Sequence, residues 1–349
     1  MQKRKVVIAV LAGLGLCVVA GLAGAWLLFG QNTPAFEGER GVKIPLGADF
    51  ETVLDSLEAS DIVHNRQTLA WTGRLTGWGD QVKAGYYVFE RGASNHDLLD
   101  TIRKGLQSPV RVTIPPGTTP DVVAAVAGRE MAFDAADFEA ALRDSTLAAY
   151  LGTDTAHLFG YMLPETYFFY WLTDAREVVA KIKEAFDTFY NENAPEGLDL
   201  SPEEVVTLAS LVEWETAVEE EKPRVAGVYL SRLRRAGWRL EADPTVQYAI
   251  IEMEGQKRRL FNRDYEIQHP YNTYLIDGLP PGPVTNPSPS SILGVLDVER
   301  HDYMFFVATG DGTHAFSRTL REHINAARRY HRLMEQRRRQ AEQTASDVG

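Results

Sequence analysis

Residues 208–218 read LASLVEWETAV, and they set a glutamate where a helix would bury hydrocarbon. On a helix turning about 100° per residue, Leu208, Leu211, Val212 and Val218 form an apolar stripe. Glu215 falls between Leu208 and Leu211 inside that stripe, whereas Glu213 points about 160° around the axis from it. An isolated carboxylate in such a setting costs several kcal/mol or keeps its proton near neutral pH. A carboxyl that is protonated at the working pH is what a general acid requires, and beside a glycosidic oxygen it can protonate the leaving group. Glycosidases ordinarily pair that acid with a second carboxylate. Glu213 is nearest in sequence but lies on the wrong side. One reaction dispenses with the partner: the C6 hydroxyl of a muramyl sugar can attack its own C1, so a single carboxyl serves first as acid and then as base. The competing reading is structural, a glutamate tied to a buried arginine or a backbone amide.

The elements that must hold Glu215 are legible around it. Ser201-Pro202-Glu203-Glu204 is a strong helix start, with serine as N-cap, proline in the first turn and Glu204 closing a capping box. A second helix runs from Pro223 to Gly237. The polar, turn-rich runs 241–248 (EADPTVQY) and 269–290 are expected as loops, and loops on a scaffold often carry sites. Upstream, 120–150 reads as helical and about 174–191 as a further helix. Between them HLFGYMLPETYFFYW (157–171) is either a core segment or an aromatic wall for sugar rings. Residues 303–317 read as a hairpin turning at Gly310-Asp311-Gly312, and Thr319 with Glu322 opens the last helix. The arginines at 328, 329, 332 and 337–339 read as a solvated basic face, with anionic lipid as the minor alternative.

The chain has 349 residues, enough for two or three domains, with 44% hydrophobic and 24% charged residues. A net charge of −12 argues against nucleic-acid binding. The lone cysteine, Cys17, excludes an internal disulfide. The eight histidines are scattered without a metal spacing, so no metal and no cofactor is expected. After MQKRK comes an uncharged run long enough to span a bilayer. Lys3, Arg4 and Lys5 would keep the N-terminus cytoplasmic and send the rest across. VKIPLGADFETVLDSLEA (42–59), YVFERGASNHDLLDTIRKG (87–105) and VTIPPGTTPDVVAAVAGR (112–129) repeat one pattern of strand, glycine turn and amphipathic helix. Units this small must pack together to bury their apolar faces.

LASLVEWETAV, RVAGVYLSRL, EADPTVQYAI, YNTYLIDGLPPGPVTNP and HAFSRTLREH, in that order, resemble the YceG-like family, the MltG endolytic murein transglycosylases. The resemblance implies an α+β chain: cytoplasmic residues 1–5, a transmembrane anchor at 6–29 and a linker at 30–41. A LysM-like membrane-proximal module at 42–110 and a YceG-like catalytic domain at 111–335 would follow, then a basic, disordered tail at 336–349. It implies an inner-membrane, single-pass lyase with its bulk in the periplasm. The enzyme would cut nascent peptidoglycan between N-acetylmuramic acid and N-acetylglucosamine, leave 1,6-anhydro ends and so terminate strand elongation, with cell-wall synthases such as penicillin-binding proteins as candidate partners. The family's catalytic glutamate corresponds to Glu215. Thr245, Gln247, Tyr271, Asn272 and Tyr274 match motifs expected to line the substrate groove. Gly278, Pro280, Pro281 and Gly282 would shape a loop, and His314 and His323 would be satisfied structural histidines. Where many relatives carry a glutamate this chain has Phe159, and Glu165 is not its replacement. Two other readings stay open: a non-catalytic peptidoglycan-binding scaffold and a hydrolytic muramidase.

Overall fold

The computed structural model describes residues 2–348 as a mixed α+β chain. Its elements are α1 (Gln2–Phe29), β1 (Glu39–Ile44), α2 (Phe50–Ala59), α3 (Arg66–Thr76), β2 (Gly85–Glu90), α4 (Asn95–Lys104), β3 (Val110–Thr113), α5 (Pro120–Glu130), α6 (Ala135–Leu142) and α7 (Ser145–Tyr150). They continue as β4 (Thr166–Phe169), α8 (Ala175–Asn193), α9 (Pro202–Glu215), α10 (Lys222–Leu233), α11 (Asp243–Glu254), α12 (Pro289–Leu296), β5 (Phe305–Ala308), β6 (His314–Ser317) and α13 (Leu320–Val348). Two compact units result. One comprises the residues up to Arg111 with 130–132 and 168–173; the other comprises 112–129, 133–167 and the chain from Asp174 onward.

In the first unit, α1 includes a 23-residue stretch, Val7–Phe29, of mean hydropathy 2.5 with its side chains exposed, long and apolar enough to cross a membrane. Just beyond it Asn32 is buried, and its amide bonds Asn95 and the Asn65 carbonyl; the Asn95 amide in turn reaches Leu27 O at 2.8 Å. The repeats fold as their pattern demands. Each has a strand, then a glycine at positive φ (Gly47 +76°, Gly92 +93°, Gly117 +66°), then a helix. Only glycine adopts that backbone without strain. β1 and β2 pair antiparallel with Val42 opposite Tyr87, and both bury against Leu54, Leu57, Leu98 and Ile102. The third repeat differs: from Val112 onward it belongs to the second unit, and its strand β3 pairs with β4.

In the second unit α9 packs against α10, α11 and α12. Residues Val205 to Val212 are all buried, so the helix sits in the core on every side instead of presenting one apolar stripe. β5 and β6 form the expected hairpin, with Ala308 opposite His314. Two expectations fail here. Residues 243–248, read as part of a loop, open α11: Asp243 and Pro244 occupy its first turn, where proline has no helical N–H to lose. The tail read as disordered from 336 is helical through Val348, in a stretch without proline or glycine and with the Arg339–Glu335 pair one turn apart.

Candidate active site

α9 brings Glu213, Trp214 and Glu215 to its C-terminal end, and the three diverge. Glu213 lies in a nest: its Oε2 accepts from Ser288 Oγ, from Ser291 Oγ at 2.6 Å, from Ser288 N at 3.1 Å and from Lys222 Nζ at 3.3 Å. Burial alone would raise its pKa, but the Ser288 and Ser291 hydrogen bonds and the Lys222 charge outweigh that and hold it below the usual value. Trp214 donates to Gly117 O at 2.9 Å, and Lys257 stands 4.7 Å over its ring. Thr216 leaves helical backbone (φ −140°) and accepts from Val218 N, turning the chain toward α10.

Glu215 shares none of the partners of Glu213 or Trp214. It is the last residue of α9, partly exposed, at the end where the helix dipole disfavours an anion. Its carboxyl is pushed up to about 8, first by burial and second by the charge of Asp243, while the Tyr229 hydroxyl and Arg232 act the other way. Tyr229 and Arg232 come from α10, three residues apart and so on one face. Arg232 is committed to backbone, donating to Met304 O at 2.9 Å and to Leu240 O. The fully buried Tyr229 hydroxyl is turned toward the Glu215 carboxyl, to which it can donate. Burial, then the Glu215 charge, push it well above the ordinary phenol value.

Asp243, the first residue of α11, is the second carboxylate that sequence spacing did not reveal. It is exposed, and two phenols converge on it: Tyr274 Oη donates to Oδ1 at 2.7 Å and Tyr265 Oη to Oδ2 at 3.4 Å. The two rings lie 4.6 Å apart. Burial, then Asp243, push Tyr265 to about 12 and Tyr274 higher still, so both remain donors.

The five residues expected to line a groove divide in two. Tyr271 and Tyr274 are partly exposed. Tyr271 stacks on Tyr248 at 4.3 Å, and both, with Phe159, line a cleft of about 360 Å³. Phe159 thus lends that wall a ring without a charge. Thr245, Gln247 and Asn272 are buried with their polar groups occupied. Thr245 bonds Ala242 O and Thr273 Oγ1. Gln247, with its amide oriented to satisfy both ends, pairs with the Arg258 backbone. The Asn272 amide donates to Tyr265 O and Ile267 O and accepts from Tyr274 N at 3.0 Å. These three therefore set the shape of the loop that presents Tyr265 and Tyr274. The segment 158–163 is mostly core, with Tyr161 fully buried. His314 pairs with Glu221 through Nδ1 at 2.7 Å. His323 stacks on Phe305 with its buried Nδ1 unpartnered, and burial lowers its pKa, which keeps it neutral. Sequence reasoning missed Asp243, Tyr229 and Tyr265; only the aspartate before proline in DPTVQY was a visible signal for the first.

The sequence as a whole has known relatives. A model of the YceG-like family matches residues 42–329. An endolytic murein transglycosylase of Bacillus subtilis (strain 168) is 27% identical over 308 residues, covering 83% of this chain and 84% of that protein. One from Streptococcus pneumoniae serotype 2 is 28% identical over 326 residues, 82% of this chain and 58% of that protein's length. The 2.6 Å crystal structure of a YceG-like protein from Listeria monocytogenes superposes with a TM-score of 0.56 at 25% identity, over 83% of this chain and 99% of that one.

Proposed function

The chain belongs to the YceG-like family, and from that premise we propose that it is an endolytic murein transglycosylase, as its relatives are named. Its substrate is the nascent peptidoglycan strand, cut between N-acetylmuramic acid and N-acetylglucosamine. Glu215 gives its proton to the bridging oxygen as the bond to C1 breaks, and the ring oxygen shares the positive charge left behind. The C6 hydroxyl of the same sugar then attacks C1 and returns a proton to the Glu215 carboxylate. No water is consumed, and the new end is a 1,6-anhydro ring that terminates the strand. The supporting observation is the Glu215 carboxyl itself, partly exposed, outside the Ser288–Ser291–Lys222 nest that holds Glu213, and pushed up to about 8 by burial and by Asp243. An acid performs best when its pKa lies near the operating pH. Tyr271 and Tyr274 would contact the strand, while Thr245, Gln247 and Asn272 frame the loop.

The apolar helix would anchor the protein as a single pass, with Lys3, Arg4 and Lys5 cytoplasmic and the remainder in the periplasm. Residues 42–110 would serve as a LysM-like module near the bilayer, and cell-wall synthases would be its neighbours. A hydrolytic muramidase is the second reading, because Asp243 supplies a further carboxylate that could act on water. Purified full-length protein incubated with glycan strands separates these readings. Anhydro ends, lighter than reducing ends by one water in mass spectra, support the lyase; reducing ends support the muramidase. Glu215→Gln keeps the shape but cannot cycle a proton, so undiminished cleavage by that variant would remove Glu215 from the chemistry. Strand binding without cleavage by the wild type would leave the scaffold reading standing.

A further inference from the structure

The geometry points to Asp243 as the fixed anion of this site, a positioning residue that acts on Glu215 and on the cationic sugar ring formed as the glycosidic bond breaks. The inference deepens the transglycosylase reading and rests on it. A surface aspartate is ordinarily just solvated. Asp243 is instead oriented by two hydroxyls from different segments, one on each carboxylate oxygen. Those hydroxyls are themselves held. The Asn272 amide fixes the backbone of both tyrosines, Arg239 donates to Tyr274 O at 2.8 Å, and a bidentate Arg258–Asp264 pair clamps the turn that bears Tyr265. No ion pair to Asp243 is present among the described residues. Its donors are neutral phenols, so its negative charge is left for whatever occupies the site.

The two carboxylates also sit at opposite helix poles. Glu215 ends α9, where the dipole penalises charge, and Asp243 opens α11, where the dipole favours it. The groups facing Glu215 are Asp243 from α11, Tyr229 and Arg232 from α10, and Tyr265 and Tyr274 from the following turns. α12, also packed on α9, carries no acidic or basic residue. When Glu215 gives up its proton, positive charge grows on C1 and the ring oxygen while negative charge grows on Glu215. Asp243 attracts the first and opposes the second. The ionised glutamate is thereby a stronger base toward the C6 hydroxyl, whose proton it takes as the anhydro ring closes.

The test compares full-length wild type with Asp243→Asn, whose amide oxygen can still accept from Tyr274. Glycan cleavage is followed against pH. In parallel, pH-difference infrared spectra read the Glu215 carboxyl band, identified by its loss in Glu215→Gln. The alkaline limb and the band's midpoint should both move down by about one pH unit or more. The maximal rate should fall about tenfold with KM little changed. Tyr274→Phe, which keeps the ring, should shift both in the same direction by less. An unmoved band in folded Asp243→Asn and in Tyr274→Phe overturns the inference whether or not the protein cleaves glycan. A wild type that makes no cleavage product while the band still moves would overturn the transglycosylase reading instead.

Discussion

Glu215→Gln should change how stability depends on pH, and the size of the effect follows from the site. An unfolded glutamate titrates at its ordinary 4.5, whereas folded Glu215 is pushed up to about 8. Between those values the folded chain binds a proton that the unfolded chain has released. The stability conferred by the neutral acid is therefore complete below 4.5 and is lost as pH rises toward 8. At about 1.4 kcal/mol per pH unit, the loss from pH 5 to pH 8 has a ceiling of about 4 kcal/mol. The side chain is partly exposed, so about 2 kcal/mol is the working figure. Glutamine does not titrate, and its amide oxygen can accept from the Tyr229 hydroxyl as the carboxyl does. The variant should thus gain on the wild type by about 2 kcal/mol between pH 5 and pH 8, or about 4–8 °C in melting temperature. Calorimetry of the full-length protein in detergent at both pH values reads this directly. Parallel pH profiles, or a variant that loses ground as pH rises, would refute the claim that burial and Asp243 hold Glu215 protonated.

Glu213→Gln should behave in the opposite sense. Its pKa is depressed, so the nest contributes above the ordinary 4.5 and is lost as pH falls through the folded value; the variant should cost about 1–3 kcal/mol at pH 7, and denaturation at pH 3 and pH 7 should show the difference shrinking in acid. Asn272→Ala leaves two backbone carbonyls and the Tyr274 N–H without their partner. We expect about 2–4 kcal/mol of lost stability in chemical denaturation, and a Michaelis constant that rose alone, without that loss, would instead make Asn272 a ligand-contact residue. Gly117→Ala forces a Cβ into left-handed backbone 3.4 Å from Glu213, which should cost about 1–2 kcal/mol in a thermal melt, and a neutral result would show that the turn relaxes.

Much of the fold could be read locally. The glycine turns of the three repeats, the Ser201 and Thr319 capping boxes and the 303–317 hairpin depend on contacts a few residues apart, and residue type decides those. Residues 241–248 misled because polarity and a proline suit a helix's first turn as well as a loop. The environments of the five groove candidates were not legible. Tyr271 and Tyr274 reach the surface, but a hydroxyl or amide in a motif gives no sign of whether it faces a ligand or its own backbone, and Thr245, Gln247 and Asn272 face the backbone.

Helical phase alone singled out Glu215, because 100° per residue fixes which side chains share a face and an acid among leucines violates the cost of burying charge. Its place beside Tyr229 and Arg232, the committed state of Glu213 and the approach of Asp243 with its two phenols were decided by tertiary structure. Those facts depend on which separate segments meet, and spacing along a chain carries no information about charges that packing brings together from different helices.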